Sequence, residues 1–101
     1  MSSLVKAQVD MTQRPYLISA LTDLGYKYTE SANAISISRN YHNLVIKEDG
    51  NVEYDSADAD LVTEIKNHYG KHEMISVFNR LGIVNYSVET VGSRIELNAT
   101  M

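Results

Sequence analysis

The sequence predicts an α+β fold: a two-layer sandwich in which an antiparallel sheet of about five to seven strands carries two helices on one face, in the order β-α-β-β-β-β-α-β-β. Three observations predict it. Two stretches, about 12–24 and 58–81, repeat apolar residues at helical spacing, and each runs into a glycine, Gly25 and Gly82. The other segments alternate with period two. The links between them are short, which makes neighbouring strands antiparallel, and two helices are too few to cover both faces of such a sheet.

The elements follow in order. Leu4, Lys6, Gln8 and Asp10 alternate with Val5, Ala7 and Val9, as in a first strand. Thr12 offers an N-cap and Pro15 falls in the first helical turn, where its missing N–H costs little. Leu17, Ile18, Ala20, Leu21 and Leu24 follow at helical spacing, and Gly25 suits a left-handed residue that ends the helix. Tyr26 to Glu30 reads as a strand with Tyr26 and Tyr28 on one face. A turn through Ser31 to Asn33 leads to the alternation Ile35-Ser-Ile-Ser-Arg39. Arg39 to Asn43 reads as a polar connection holding Tyr41 and His42. Leu44 to Lys47 is the next strand, Asp49-Gly50 a hairpin turn, and Val52 and Tyr54 lie on the returning strand.

The second helix has an unusual pattern. Leu61, Val62, Ile65 and Tyr69 cluster on one side, while Met74, Val77, Phe78 and Leu81 cluster on nearly the opposite side, with Gly70 between the sets. Either the helix bends near Gly70, or it is buried on two sides, which implies a partner surface. One long helix over about 58–81, irregular near Gly70 and capped by Gly82, is the expectation. A strand through Val84, Tyr86 and Val88, a turn around Gly92 and a strand with Ile95 and Leu97 complete the chain.

The chain has 101 residues, the size of one domain. Its net charge is −4 and its nine Lys and Arg are scattered, which argues against nucleic acid, whose binding depends on basic contacts to phosphate. Without cysteine there is no disulfide, thiolate metal site or thiol nucleophile. No secretory leader and no apolar run of about 20 residues is present, so the expectation is a cytoplasmic protein with no membrane insertion.

The run Ala20-Leu-Thr-Asp-Leu-Gly-Tyr26, the Asp49-Gly50 hairpin, the acidic lead into a helix holding Tyr69 and His72, a second Leu-Gly helix end and the terminal hairpin together resemble the hypothetical chloroplast reading-frame family (Ycf number thirty-five). The resemblance spans most of the chain. It departs where the family's Tyr-Ala-Tyr-His element reads Tyr69-Gly70-Lys71-His72, and the chain is shorter, with a trimmed central hairpin region. That family occurs in plastids, cyanobacteria and cyanophages and has no assigned activity. The resemblance implies a divergent or phage-carried member, located in a host cytoplasm or, if plastid-encoded, in the stroma.

Several constellations fail chemically. Glu64, His68 and His72 recur every four residues, but three such positions span about 12 Å along a helix, too far to share one ion. His72-Glu73 begins a zinc-protease motif that position 76, a serine, breaks. Asp55, Asp58 and Asp60 open like a calcium loop, yet its sixth and twelfth positions are Asp60 and Lys66. They fit better as helix-capping acids. The isolated glycines form no phosphate loop, and no Ser or Thr has a nucleophile's setting. Seven tyrosines suit a core edge or a binding surface. No catalytic set, metal or cofactor is therefore assigned. The expected function is a non-enzymatic module that binds a protein partner or itself, with Tyr41, His42, His68, Tyr69 and His72 as candidate interface or ligand residues. The alternative is a small-molecule or metal-binding domain, or a minor enzyme, using His68, Tyr69 and His72.

Overall fold

Period-two and helical segments become strands and helices in the predicted order. The computed structural model describes residues 4–8, 11–39, 42–92 and 94–99. The elements are β1 (Leu4–Gln8), α1 (Arg14–Leu24), β2 (Thr29–Glu30), β3 (Ala34–Arg39), β4 (His42–Lys47), β5 (Asn51–Asp55), α2 (Ala59–Arg80), β6 (Tyr86–Val91) and β7 (Arg94–Ala99). A single 3-10 turn, Ser56–Asp58, leads into α2. The strands divide into a five-stranded antiparallel sheet, in the order β1-β5-β4-β3-β2, and a separate β6–β7 hairpin.

The register puts Ile35 opposite Ile46, Ile37 opposite Leu44, and Ile46 opposite Val52. These five side chains share one sheet face and are buried. Both helices cover that face: Leu17, Ala20 and Leu21 from α1 and Leu61, Val62, Ile65 and Tyr69 from α2 complete the core with Met11. Each large aliphatic buried this way contributes about 1.5–3 kcal/mol. The opposite sheet face carries Ser38 hydrogen-bonded to Asn43 and Lys47 paired with Glu53 at 2.8 Å. Alternation along β3 and β4 thus produces one dry face and one wet face.

Local details depart from the periodicity. Helix α1 starts at Arg14 rather than Thr12. Its N-cap is Gln13, whose side chain makes no capping bond. Instead the Gln13 backbone N–H donates to Tyr69 Oη at 3.0 Å, so a tyrosine from α2 takes a donor at the start of α1. The strand expected over Tyr26 to Glu30 shrinks to Thr29–Glu30. The Tyr26 N–H is used by the helix end, bonding Leu21 O, and its hydroxyl donates to Glu64. Within the expected polar connection at Arg39 to Asn43, the described residues Arg39, His42 and Asn43 are strand, because the β3–β4 ladder continues to Arg39 opposite His42. Helix α2 closes with Leu81 as C-cap and Gly82 one residue beyond, at φ 75°. The Gly82 N–H bonds Asn79 O and the Ile83 N–H bonds Phe78 O, a Schellman end.

Helix α2 runs unbroken through Gly70. Its first apolar set faces the sheet core, and part of the second faces the terminal hairpin. Leu61, Val62, Ile65 and Tyr69 face the sheet core. Met74 and Phe78 face the terminal hairpin, where Phe78 meets Tyr86 with ring centroids 5.4 Å apart and Ile95 and Leu97 line the same groove. The surface that the sequence pattern demands on the second side is thus supplied, in part, by β6–β7. The molecule measures 50 × 31 × 22 Å. The radius of gyration is correspondingly 14.6 Å, above the roughly 13 Å of a compact chain this long.

Candidate functional site

Helices α1 and α2 cross antiparallel, and a polar ladder marks the seam. Reading up α2, Glu64 accepts from Tyr26, His68 and His72 approach Asp23, and Ser76 accepts from Tyr16 at 2.8 Å. These positions recur every four residues, which places them in one row on a helix. A third face of α2 is thereby used against α1.

The centre of the seam is Asp23, in the last turn of α1. Its Oδ2 atom receives Lys71 Nζ at 2.5 Å, lies 2.6 Å from His72 Nε2 and 3.3 Å from His68 Nδ1. A carboxylate at a helix C-terminus faces the negative end of the helix dipole, so it needs cationic partners. Partial burial pushes the Asp23 carboxyl up, but hydrogen bonds from Lys71, His72 and His68 and the Lys71 charge outweigh it. The result is a carboxyl held down at about 2. The group is ionised at neutral pH and joins the end of α1 to the middle of α2.

The sequence-derived candidates separate in space. His68 and His72 come together on Asp23, whereas Tyr69 turns toward the start of α1. Its ring meets Tyr16 edge-on at 5.9 Å and its hydroxyl accepts from Gln13. Tyr69 is buried and belongs to the core rather than to a site shared with the histidines. His42 opens β4, paired through its backbone with Arg39. Tyr41 lies outside the described residues. Among the described residues, no group of three or more His, Asp or Glu is arranged to hold a metal ion. At Asp23 the Lys71 ammonium sits on the very oxygen that would serve as a ligand.

Asp23 and Lys71 are the site residues that sequence reading misses. One signal was available for Asp23, an acid in a last helical turn with no basic residue nearby on its own helix.

The other concave feature is a groove between α2 and the hairpin. One half, about 550 Å³, lies between Leu24, Asp60, Glu64 and His68 on one wall and Thr90 and Ile95 on the other. A second half, about 450 Å³, continues past Lys66, Gly70, Met74 and Phe78 toward Leu97. The halves share Asn67 and Ile95. No helix among the described residues is long and apolar enough to cross a membrane. Comparison with protein families, with curated proteins and with solved structures finds no match to this chain in any of the three.

Proposed function

We propose that the chain is a non-enzymatic protein-interaction module that meets its partner on the side formed by the far half of α2 and the terminal hairpin. One observation carries the reading. Among the described residues, the large apolar side chains that remain exposed are Met74, Leu81, Val84, Val88 and Val91, all between the middle of α2 and the end of β6. Leu81 and Val84 are 69% and 79% exposed. Among the described residues, α1 and strands β2 to β5 contribute none. The resemblance to the plastid reading-frame family extends the proposal to an accessory or regulatory role in a cyanobacterial, plastid or phage-infected setting.

Two measurements test this. Light scattering across a concentration series reads self-association. A photo-crosslinking residue at position 84, with position 38 on the polar sheet face as control, reads partner contact. Dimer or a discrete heterologous adduct formed from position 84 and not from 38 supports the module. A monomer with no position-selective adduct overturns it.

A second reading, a metal or small-ligand site at His68 and His72, draws on their convergence on Asp23. Metal analysis of protein purified without chelators, compared with the His68→Ala and His72→Ala variants, tests it. Equal metal content in all three removes it.

A further inference from the structure

We propose that the groove between α2 and β6–β7 receives an extended peptide segment of the partner protein, with a Lys or Arg seated at Asp60 and Glu64 and an apolar side chain beyond Gly70 against Met74 and Phe78. The proposal rests on the interaction-module reading and names the chemistry of the partner.

The first observation is Gly70. Helix α2 passes through it without interruption, and Gly70 is not among the glycines of positive φ. A Cβ built there meets nothing within 4 Å. Neither backbone conformation nor packing within the chain therefore calls for glycine. Yet glycine inside a helix costs about 1 kcal/mol relative to alanine. The space over Gly70 is the groove itself. A bare helix backbone at the floor of a groove permits the close approach of a second backbone.

Charge is the second observation. Asp60 and Glu64 line the first half of the groove, and no Lys or Arg does so among the described residues. Leu24 and Ile95 supply apolar surface beside these acids. The second half is lined by Met74, Phe78 and Leu97 together with Lys66 and Lys71, the latter paired with Asp23. The groove thus has one end where Asp60 and Glu64 stand beside apolar surface, and another where Met74, Phe78 and Leu97 stand beside lysines. A cationic group finds its complement at the first, and a buried apolar side chain supplies affinity at the second.

The geometry fixes a spacing. Glu64 and Gly70 are about 9 Å apart along the helix axis and Glu64 and Met74 about 15 Å. An extended chain covers these distances in about three and about five residues. The occupant is then a basic residue separated from an apolar one by a few positions.

A random peptide display library selected against the intact chain tests this, with Gly70→Trp and the double variant Asp60→Asn/Glu64→Gln as counter-selections. Thermal melts check that each variant folds. Gly70→Trp replaces a poor helix former at a position where a Cβ meets no atom within 4 Å, and the double variant supplies the test should the indole displace the hairpin. The expected result is enrichment of peptides pairing Lys or Arg with Leu, Ile, Met or Phe at that spacing. Their affinity falls about tenfold or more in both folded variants, as for loss of a central contact. Peptides that bind Gly70→Trp as tightly as the parent chain overturn the groove while leaving the module reading in place. Absence of any basic–apolar enrichment also overturns the groove, and the crosslinking from position 84 then decides the module reading separately.

Discussion

Replacing Gly70 by alanine should stabilise the protein. Host–guest propensities put glycine about 0.8–1.0 kcal/mol below alanine in a helix interior. The gain comes largely from the unfolded chain, which loses conformational freedom with the added Cβ. Nothing in the folded protein opposes it, because the new methyl group meets no atom within 4 Å. The net expectation is about 0.5–1 kcal/mol. For a domain of this length each kcal/mol moves Tm by roughly 4–8 °C, so a rise of about 2–8 °C follows. Gly25 and Gly82 provide an internal control, since a Cβ there also meets nothing within 4 Å, but their φ values are +73° and +75°. Alanine at either should cost about 1–2 kcal/mol through the left-handed backbone alone. Urea titrations followed by far-UV circular dichroism, with thermal melts alongside, measure all three variants. A destabilised Gly70→Ala, or three variants shifting in the same direction, would refute the reasoning that Gly70 is structurally unneeded.

Three further outcomes are expected. Asp23 is held at about 2 in the folded protein against the ordinary 3.8 of an aspartate, so the unfolded chain binds more protons between those values and stability rises with pH there. The contribution is complete above about pH 4 and disappears as pH falls toward 2; solvent screening reduces it to about 1 kcal/mol, and Asp23→Asn should flatten this part of the urea-midpoint profile. Ile65 is fully buried where α2 meets the sheet, and Ile65→Ala should cost about 2–5 kcal/mol, read as a lower urea midpoint. Tyr69→Phe keeps the ring against Tyr16 but strands the Gln13 N–H, so a loss of about 1 kcal/mol in thermal or urea unfolding is expected.

Much of the architecture is legible because its signals are local. The Leu-Gly ends of both helices, the alternation through Ile35 and Ile37, and the Asp49-Gly50 turn each specify their element from neighbouring residues alone. What sequence leaves open is what faces what. The row Glu64, His68, His72 is visible as a helical spacing, but its partners Tyr26 and Asp23 become neighbours only through the antiparallel crossing of α1. Tyr69 looks like a companion of the histidines along the chain, although a step of one to three residues rotates it toward the core. The contradiction around Gly70 is real in the sequence. Its resolution, a continuous helix with the sheet on one side and a hairpin on another, depends on a contact between distant segments that periodicity does not encode.

That arrangement gives the protein two tiers of stability. A two-stranded hairpin is marginal in water by itself. Among the described strands, β6 and β7 pair with each other and with no third strand, and they lean on α2 through contacts such as Phe78 with Tyr86. The five-stranded sheet, by contrast, buries its apolar face under both helices. Backbone amides of β6 and β7 should therefore exchange with solvent through a low-energy local opening, while those of β3 and β4 wait for global unfolding. An occupant bridging α2 and the hairpin would close that gap, turning a loosely held flap into part of the cooperative unit, and the protection gained at β7 would report its binding.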